Sequence, residues 1–310
     1  MSKEAPLAPA RPFRTLSRRQ VLASAGGLAL VPTLAHAARN GVVRLGAIAD
    51  CQYADQDDNG ARMYRRSPGK LAQAVEHFNR LDLDHVVHLG DFIDRGWASF
   101  DAQQPNLDAL RHPWRFVLGN HDFAVDDDKK ALVARRLGMP GRYYSFEAGD
   151  WVFLALDGND LSEYGWPAGS PELALSQRLH RELYPAAPDW DGGIGETQLR
   201  WMDKVLASAE RRGKKSAIYC HFPIFPENPH NLWNAAEVMA LIERRTTVKA
   251  WINGHNHDGN YGEHAGIHCI NLKGMLDTEQ TSYAVIELHG DRLELQGFGR
   301  QQSLSLALRR

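Results

Sequence analysis

Short hydrophobic runs rich in β-branched residues alternate with amphipathic stretches along most of the chain. The apolar runs predict buried strands at 42–49, 85–89, 114–118, 143–146, 151–156, 216–220 and 248–253. One-sided apolar spacing predicts helices at 70–80, 196–211 and 235–244. Further apolar runs near the end predict a β meander at 266–272, 283–288 and 293–298. This mixture indicates an α/β protein with two sheets packed face to face and helices outside.

The remaining segments set the domain organisation. Residues 157–195 contain Gly, Pro and Trp with little periodicity, which predicts a long loop of the kind that is often functional. No repeat or low-complexity linker divides residues 38–310, so we expect a single domain there.

The amino terminus has the features of an export signal. Arg18 and Arg19 lie in a stretch that resembles the twin-arginine signature, and an uncharged apolar run follows at 21–34. Small residues around Ala37 match a signal peptidase site, so we expect a cleaved signal over 1–37. The alternatives are a membrane anchor or a buried helix, but small residues dilute the run below what a spanning helix requires. We therefore expect a periplasmic or secreted protein that meets the twin-arginine machinery transiently and has no stable membrane anchor.

Charge and cysteine content exclude several classes of function. The 310-residue chain has a formal net charge of −2, and removal of the basic signal makes the remainder more acidic. An acidic protein does not favour binding to a nucleic acid polymer, because the phosphate backbone requires Lys and Arg. Cys51, Cys220 and Cys269 form no CxxC pair, which excludes a disulfide framework and a zinc finger.

Five short polar motifs begin where predicted strands end. They are Asp50-Cys51-Gln52, Gly90-Asp91 with Asp94-Arg95, Gly119-Asn120-His121-Asp122, His221, and Gly254-His255-Asn256-His257. Each alone also suits an ordinary polar turn. In α/β sheets the carboxyl ends of strands are where ligands bind, so we expect the five motifs to share one rim.

The side chains in these motifs are metal donors. They comprise two carboxylates, two amides and three imidazoles, namely Asp50, Gln52, Asp91, Asn120, His221, His255 and His257. Oxygen and nitrogen donors without thiolate suit Mn, Fe, Zn or Co rather than a structural zinc site. Seven ligands exceed what one tetrahedral ion uses, so two ions bridged by a carboxylate are expected. Such a pair clamps a phosphate ester while a bridging hydroxide attacks phosphorus in line.

The order of the motifs resembles the calcineurin-like metallophosphoesterase superfamily over residues 44–299. The resemblance implies a four-layer α/β/β/α sandwich with two mixed sheets. It implies two ligand sets that share one bridging carboxylate: Asp50, Gln52, Asp91 and His257 for one ion, and Asp91, Asn120, His221 and His255 for the other. It also implies that His121 faces the leaving group as an acid or positive stabiliser, that Asp94 orients it, and that Arg95 contacts phosphate.

Two positions depart from the common superfamily pattern. Asp94 stands where a purple acid phosphatase has its iron-binding tyrosine, which argues against that branch. Gln52 stands where most members have His, and a neutral amide oxygen favours Mn or Mg over Zn. We therefore expect two divalent ions as cofactors, with Mn foremost and Mg, Fe or Zn as alternatives.

Further stretches are similar to a narrower group, the manganese-dependent ADP-ribose/CDP-alcohol diphosphatases. They lie at 47–55, 62–67, 221–226 and 254–261. This resemblance implies cleavage of the phosphoanhydride in a small nucleoside diphosphate-X compound. Arg62 and Arg65 would contact the second phosphate or form a solvated turn, whereas Tyr53 and Phe222 would stack on a base or pack in the core.

Two other functions stay open at this stage. One is a broad periplasmic phosphodiesterase or phosphomonoesterase that acts on simple esters, cyclic nucleotides or glycerophosphodiesters. The other is an inactive binding protein, which would require a missing ligand, and none is missing.

Overall fold

A computed structural model describes residues 41–309, and the predicted signal at 1–37 lies outside them. The strands are β1 Val43–Ile48, β2 His85–His88, β3 Trp114–Phe116, β4 Tyr144–Ala148, β5 Trp151–Ala155, β6 Leu161–Ser162, β7 Gly192–Gly193, β8 Lys215–Tyr219, β9 Val248–Asn253, β10 Asn260–His264, β11 Ile267–Asn271, β12 Ser282–Leu288, β13 Arg292–Gly299 and β14 Leu304–Ala307. The α-helices are α1 Ser67–Phe78, α2 Ala98–Ala109, α3 Asp127–Lys130, α4 Val133–Arg136, α5 Pro171–Leu183, α6 Glu196–Arg211 and α7 Ala235–Glu243. Within this described part of the chain, every helix is too short or too polar to cross a bilayer.

The strands form two six-stranded sheets and one small pair, β6 with β7. The first sheet has the order β14-β13-β12-β1-β2-β3, and the second has the order β10-β11-β9-β8-β5-β4. Strands β1, β2 and β3 run parallel, as do β5, β8, β9 and β11, and the other neighbouring pairs in both sheets are antiparallel. Both large sheets are therefore mixed, as the fold prediction requires.

The alternation of side chains along the strands produces three hydrophobic layers. In β1, Leu45 and Ala47 join the core between the two sheets, whereas Ile48 faces α1 on the other side. Helix α1 buries Leu71 and Phe78 against the outer face of the first sheet, and α6 and α7 cover the second sheet. Parallel strands covered on both faces read as continuous apolar runs. The four-layer α/β/β/α sandwich is confirmed.

The predicted long loop at 157–195 is wrong in part, because it contains helix α5 and strands β6 and β7. Ser170 caps α5 by accepting a hydrogen bond from the Leu173 backbone N–H, and Pro171 begins the helix. Ser176 is the one fully buried residue of α5, and Leu175 and Leu183 are exposed, so the core covers little of this helix. Helix α2 was missed for a similar reason, since it contains Pro105 and buries mostly polar side chains.

Candidate metal centre

The predicted ligands lie beyond the carboxyl ends of strands from both sheets. Asp50, Asp91 and Asn120 follow β1, β2 and β3 of the first sheet, whereas His221 and His255 follow β8 and β9 of the second. The Asp50 carboxylate accepts a hydrogen bond from the His255 backbone N–H at 3.2 Å, which joins the two rims directly. The topology therefore brings the five motifs to one place.

Four predicted ligands have left-handed backbone conformations. The φ angles are 55° at Asp50, 43° at Gln52, 54° at Asp91 and 70° at His255, out of six non-glycine residues with positive φ in the described chain. Each such residue costs on the order of 1–3 kcal/mol and persists only where the surroundings impose it. Strain of this kind clusters at functional sites, so its concentration here supports the site independently of the motifs.

Two glycines allow the backbone to approach the ligands closely. A Cβ at Gly119 would lie 2.0 Å from Asp91 Oδ1, and a Cβ at Gly90 would lie 2.5 Å from His221 Nδ1. Gly90 also has a φ of 96°, in the region that L side chains rarely adopt. Steric crowding therefore explains why glycine precedes Asp91 and Asn120 in the motifs.

Asp91 occupies the middle of the cluster. Its Oδ2 lies 3.3 Å from His221 Nε2 and accepts a hydrogen bond from Gln52 Nε2 at 2.8 Å. Its Oδ1 accepts from the backbone N–H of His121 at 2.8 Å. His257 Nε2 lies 3.8 Å from Asp50 Oδ1. This central position suits the bridging carboxylate that the sequence predicts.

Each imidazole has one nitrogen engaged on the side away from the centre. His221 Nδ1 lies 2.8 Å from the Leu89 carbonyl, His255 Nε2 lies 2.7 Å from Asp191, and His257 Nδ1 lies 3.2 Å from Asp277. These acceptors assign the N–H to the outer nitrogen, as is usual for histidines that bind metal. When the rings are neutral, their inner nitrogens then present lone pairs to the centre.

The donor set fits metal ions by two further observations. The inner nitrogens of His221 and His255 lie 3.1 Å apart, close enough for both to bind one cation. Two nitrogen ligands at right angles on one ion at about 2.1 Å are separated by about 3 Å. Gln52 Oε1 and Asn120 Oδ1 are buried and have no hydrogen-bond partner within the described residues. A cation would satisfy both amide oxygens.

The electrostatics of the cluster also favour bound cations. Burial raises the pKa of Asp50 to about 6, against the opposing effect of His257 and His221. Burial alone would raise the pKa of Asp91, but His221 and His121 hold it well below its usual range. Burial would likewise lower the pKa of His221, yet Asp91 raises it to about 9. Buried carboxylates thus attract positive charge to this point.

His121 and Asp94 lie at the edge of the centre and contact each other. His121 Nδ1 is 3.1 Å from the Asp94 carbonyl oxygen and 3.3 Å from Asp94 Oδ1. The Asp94 side chain is fully buried, whereas that of His121 is 27% exposed. Arg95 Nε donates to Asp94 Oδ2 at 2.6 Å while its side chain remains 62% exposed. The ring of His121 is therefore anchored at Nδ1, and Arg95 is accessible to a ligand beside it.

The predicted substrate contacts lie in different environments. The backbones of Arg62 and Asp277 form an isolated β-bridge, and the positive charge of Arg62 opposes protonation of His257. Arg62 therefore lies beside the centre. Arg65 is engaged by Asp55 at 2.6 Å and by Asp57 at 2.5 Å.

The two predicted aromatic contacts also differ from each other. Tyr53 is partly buried and pairs with Ile93 beside the Asp94 loop. For Phe222, the structure agrees with core packing and not with the alternative of stacking on a substrate base. Its ring is fully buried and packs edge-on against the rings of His221 and His255, 4.9 and 4.6 Å away.

Four residues of the site were missed at the sequence level. Asp122 accepts backbone N–H bonds from Gly119, Asp91, Phe92 and Ile93, and so holds two motif loops together. The next two, Asp191 and Asp277, support His255 and His257. The fourth is His230, whose ring lies 5.3 Å from that of His255. Asp122 was visible in the third motif, but the other three lie in segments without a pattern.

A groove of about 860 Å³ adjoins the centre through Asp191. Its walls are largely apolar and include Ile224, Phe225, Leu232, Trp233 and Met239. One carboxylate oxygen of Asp191, Oδ2, is buried without a hydrogen-bond partner in the part of the chain that the structure describes. The groove therefore provides an apolar space next to the metal ligands.

Comparison with known proteins agrees with this geometry. Residues 43–259 match the family described as calcineurin-like phosphoesterase. The chain belongs to the calcineurin-like phosphoesterase family. As a member of this family with Asp91, His221 and His255 grouped at the site, it is a metal-dependent phosphohydrolase.

Relatives and a solved structure cover nearly the same length. The chain is 30% identical over 306 residues to a manganese-dependent ADP-ribose/CDP-alcohol diphosphatase of Arabidopsis thaliana, covering 86% of this chain and 97% of that protein. It is 28% identical over 307 residues to the human protein of the same name, covering 82% and 90%. A crystal structure of a dimetal phosphatase from Danio rerio is 28% identical, with a TM-score of 0.78, and covers 86% of this chain and 99% of the other.

Proposed function

We propose that this protein is a manganese-dependent diphosphatase that cleaves the phosphoanhydride of small nucleoside diphosphate-X compounds such as ADP-ribose or a CDP-alcohol. The observation that carries the proposal is the cluster of buried donors around Asp91, including two unpaired amide oxygens. The names of the Arabidopsis and human relatives, which cover most of this chain, support the substrate class and the metal.

The proposed ligand sets are those that the family resemblance implies, and the grouping of Asp91 with His221 and His255 supports the second set. Asp50, Gln52, Asp91 and His257 would hold one ion, and Asp91, Asn120, His221 and His255 would hold the other. The neutral oxygen of Gln52 favours Mn over Zn in the first set. When bound, the two ions supply charge stabilisation at the phosphoryl oxygens and activate water as the nucleophile.

His121 and Asp94 form the proton-transfer pair of the proposal. Anchoring of Nδ1 by Asp94 leaves Nε2 of His121 as the nitrogen directed to a ligand. This nitrogen would protonate or stabilise the leaving oxygen, a contribution worth roughly 10²–10⁴-fold in rate. Asp94 acts by fixing the orientation of the ring, since its side chain is fully buried.

The substrate contacts are assigned by position. Arg62 and Arg95 would contact the phosphates, because Arg62 lies beside His257 and Arg95 is largely exposed beside His121. Arg65 is held by two aspartates and serves as a matched comparison. The apolar groove beside Asp191 provides space for the organic group attached to phosphate.

Turnover on a panel with added Mn²⁺ tests the substrate class. The panel is ADP-ribose, CDP-choline, cyclic AMP, bis-p-nitrophenyl phosphate and p-nitrophenyl phosphate. We expect a strong preference for ADP-ribose or CDP-choline, and a higher KM for Arg62→Gln than for Arg65→Gln. Comparable kcat/KM values on the simple esters would instead indicate a broad phosphoesterase.

We also propose that the protein is exported in the folded state by way of the signal at 1–37, as Arg18 and Arg19 indicate. Replacing both arginines by Lys should retain the protein in the cytoplasm, whereas the parent should appear in the periplasmic fraction. Equal distribution of the two forms would argue against this route.

A further inference from the structure

The loop at 275–278 and the adjoining Gly274 contact the backbone of two predicted ligands, Asp50 and His257. The backbone N–H of Leu276 donates to the Asp50 carbonyl at 2.8 Å, and Gly274 N–H donates to the His257 carbonyl at 3.1 Å. Asp277 then extends from this loop to His257 Nδ1, with both carboxylate oxygens 3.2 Å away. The conformation of the loop therefore determines how one predicted ligand is held.

A buried lysine organises this loop. Lys70 lies in the first turn of α1, is 3% exposed, and directs its ammonium group at four consecutive carbonyl oxygens. The distances from Nζ are 2.9 Å to Met275, 2.8 Å to Leu276, 3.4 Å to Asp277 and 2.5 Å to Thr278. An ammonium has three N–H donors, and burial is tolerated only when they are satisfied. Here backbone dipoles satisfy them.

The convergence of these carbonyls is costly without the cation. Four aligned carbonyl dipoles repel one another, and Thr278 has a left-handed backbone with a φ of 59°. Arg300 Nη2 adds a further bond to the Gly274 carbonyl and lies 4.0 Å from Asp277 Oδ2. Without Lys70, the loop would lose the ammonium group that stabilises its conformation.

We propose that Lys70 is a positioning residue for His257, acting through the loop at 275–278 and the carboxylate of Asp277. The chain of contacts runs from the ammonium to the carbonyls, from the loop to Asp277, and from Asp277 to the outer nitrogen of the ring. It therefore controls the affinity of the ion held by Asp50, Gln52, Asp91 and His257, and leaves the other ion unaffected. This inference rests on the proposed two-metal function.

The test is Mn²⁺ binding to the purified protein, followed by electron paramagnetic resonance and calorimetry without substrate. We expect Lys70→Met to weaken one of two Mn²⁺-binding steps by roughly 10–100-fold, as loss of a group that orients a metal ligand does. Asp277→Asn should weaken the same step. Because both residues act through one chain of contacts, the double variant should bind Mn²⁺ no more weakly than the single variant with the larger effect.

Lys249 provides a matched control. It is another buried lysine whose ammonium donates to carbonyls, those of Thr246 and Arg309, both at 2.8 Å. It supports the carboxyl-terminal tail rather than the metal loop, so Lys249→Met should keep both Mn²⁺ affinities. Should Lys70→Met fail to fold, Lys70→Gln keeps two N–H donors and replaces it.

The outcomes separate the two proposals. A parent protein that binds no Mn²⁺ would contradict the proposed function itself. A parent that binds two ions, with unchanged affinities in folded Lys70→Met or Lys70→Gln, would overturn only the positioning role. Unchanged binding in Asp277→Asn would overturn it regardless of how the Lys70 variants behave.

Discussion

Removal of the His121 side chain should separate proton transfer from metal binding. The His121 backbone N–H, which donates to Asp91 Oδ1 at 2.8 Å, remains in His121→Ala, so the metal frame should persist. Asp94 keeps Arg95 Nε at 2.6 Å, so the buried carboxylate retains a cationic partner. The side chain of His121 is 27% exposed, and its loss should therefore cost little stability.

The expected loss in kcat on ADP-ribose is roughly 10²–10⁴-fold, which corresponds to about 3–5 kcal/mol of transition-state stabilisation. On bis-p-nitrophenyl phosphate the loss should be much smaller, since p-nitrophenolate leaves without a proton. Steady-state kinetics on both substrates, with Mn²⁺ stoichiometry measured in parallel, provide the assay. An equal loss on both substrates, or loss of one bound ion, would refute the role of His121 at the leaving group.

Three further changes test other parts of the molecule. Asp91→Asn should abolish Mn²⁺ binding and turnover together because it removes the bridging charge; a variant that still binds two ions would exclude the bridge. Gln52→His should shift metal uptake towards Zn or Fe in competition with Mn, and an unchanged metal content would show that residue 52 is not a ligand. Burial lowers the pKa of His88 to about 3, so protonation favours the unfolded chain once the pH falls below about 6.5. The free energy of unfolding, measured by urea titration, should fall between pH 6.5 and 5 by about 2 kcal/mol less in His88→Leu than in the parent. The same pH dependence in both proteins would show that other groups cause the acid sensitivity.

Sequence patterns predicted the parts of the fold in which apolar residues are concentrated in strands or on one face of a helix. Strands β1, β8 and β9 are buried along almost their whole length and contain runs of apolar residues because both faces are covered, and their ends located the ligands. Helix α5 was missed even though Leu175, Leu179 and Leu183 have helical spacing, and the structure leaves two of these leucines exposed. Strand β10 is largely exposed, and its polar composition conceals it.

In the site, too, the sequence predicted some residues and missed others. The metal donors are side chains of a distinctive type at the ends of strands, so they could be found in one sequence. The groups that hold them are ordinary residues brought together only by tertiary structure. Lys70 and Asp277 are 207 positions apart, and Asp191 lies 64 positions from His255. Likewise, only packing could show that Phe222 is enclosed.

The two sheets contribute chemically different halves of the centre. The first sheet supplies the oxygen donors Asp50, Gln52, Asp91 and Asn120, and the second supplies the imidazoles of His221, His255 and His257. Bound ions would therefore act as cross-links between the two layers at their shared rim. At a free concentration of 100 times Kd, each ion would add about 2.7 kcal/mol to the stability of the folded chain. The resistance of this sandwich to unfolding is thus coupled to the manganese supply of its surroundings.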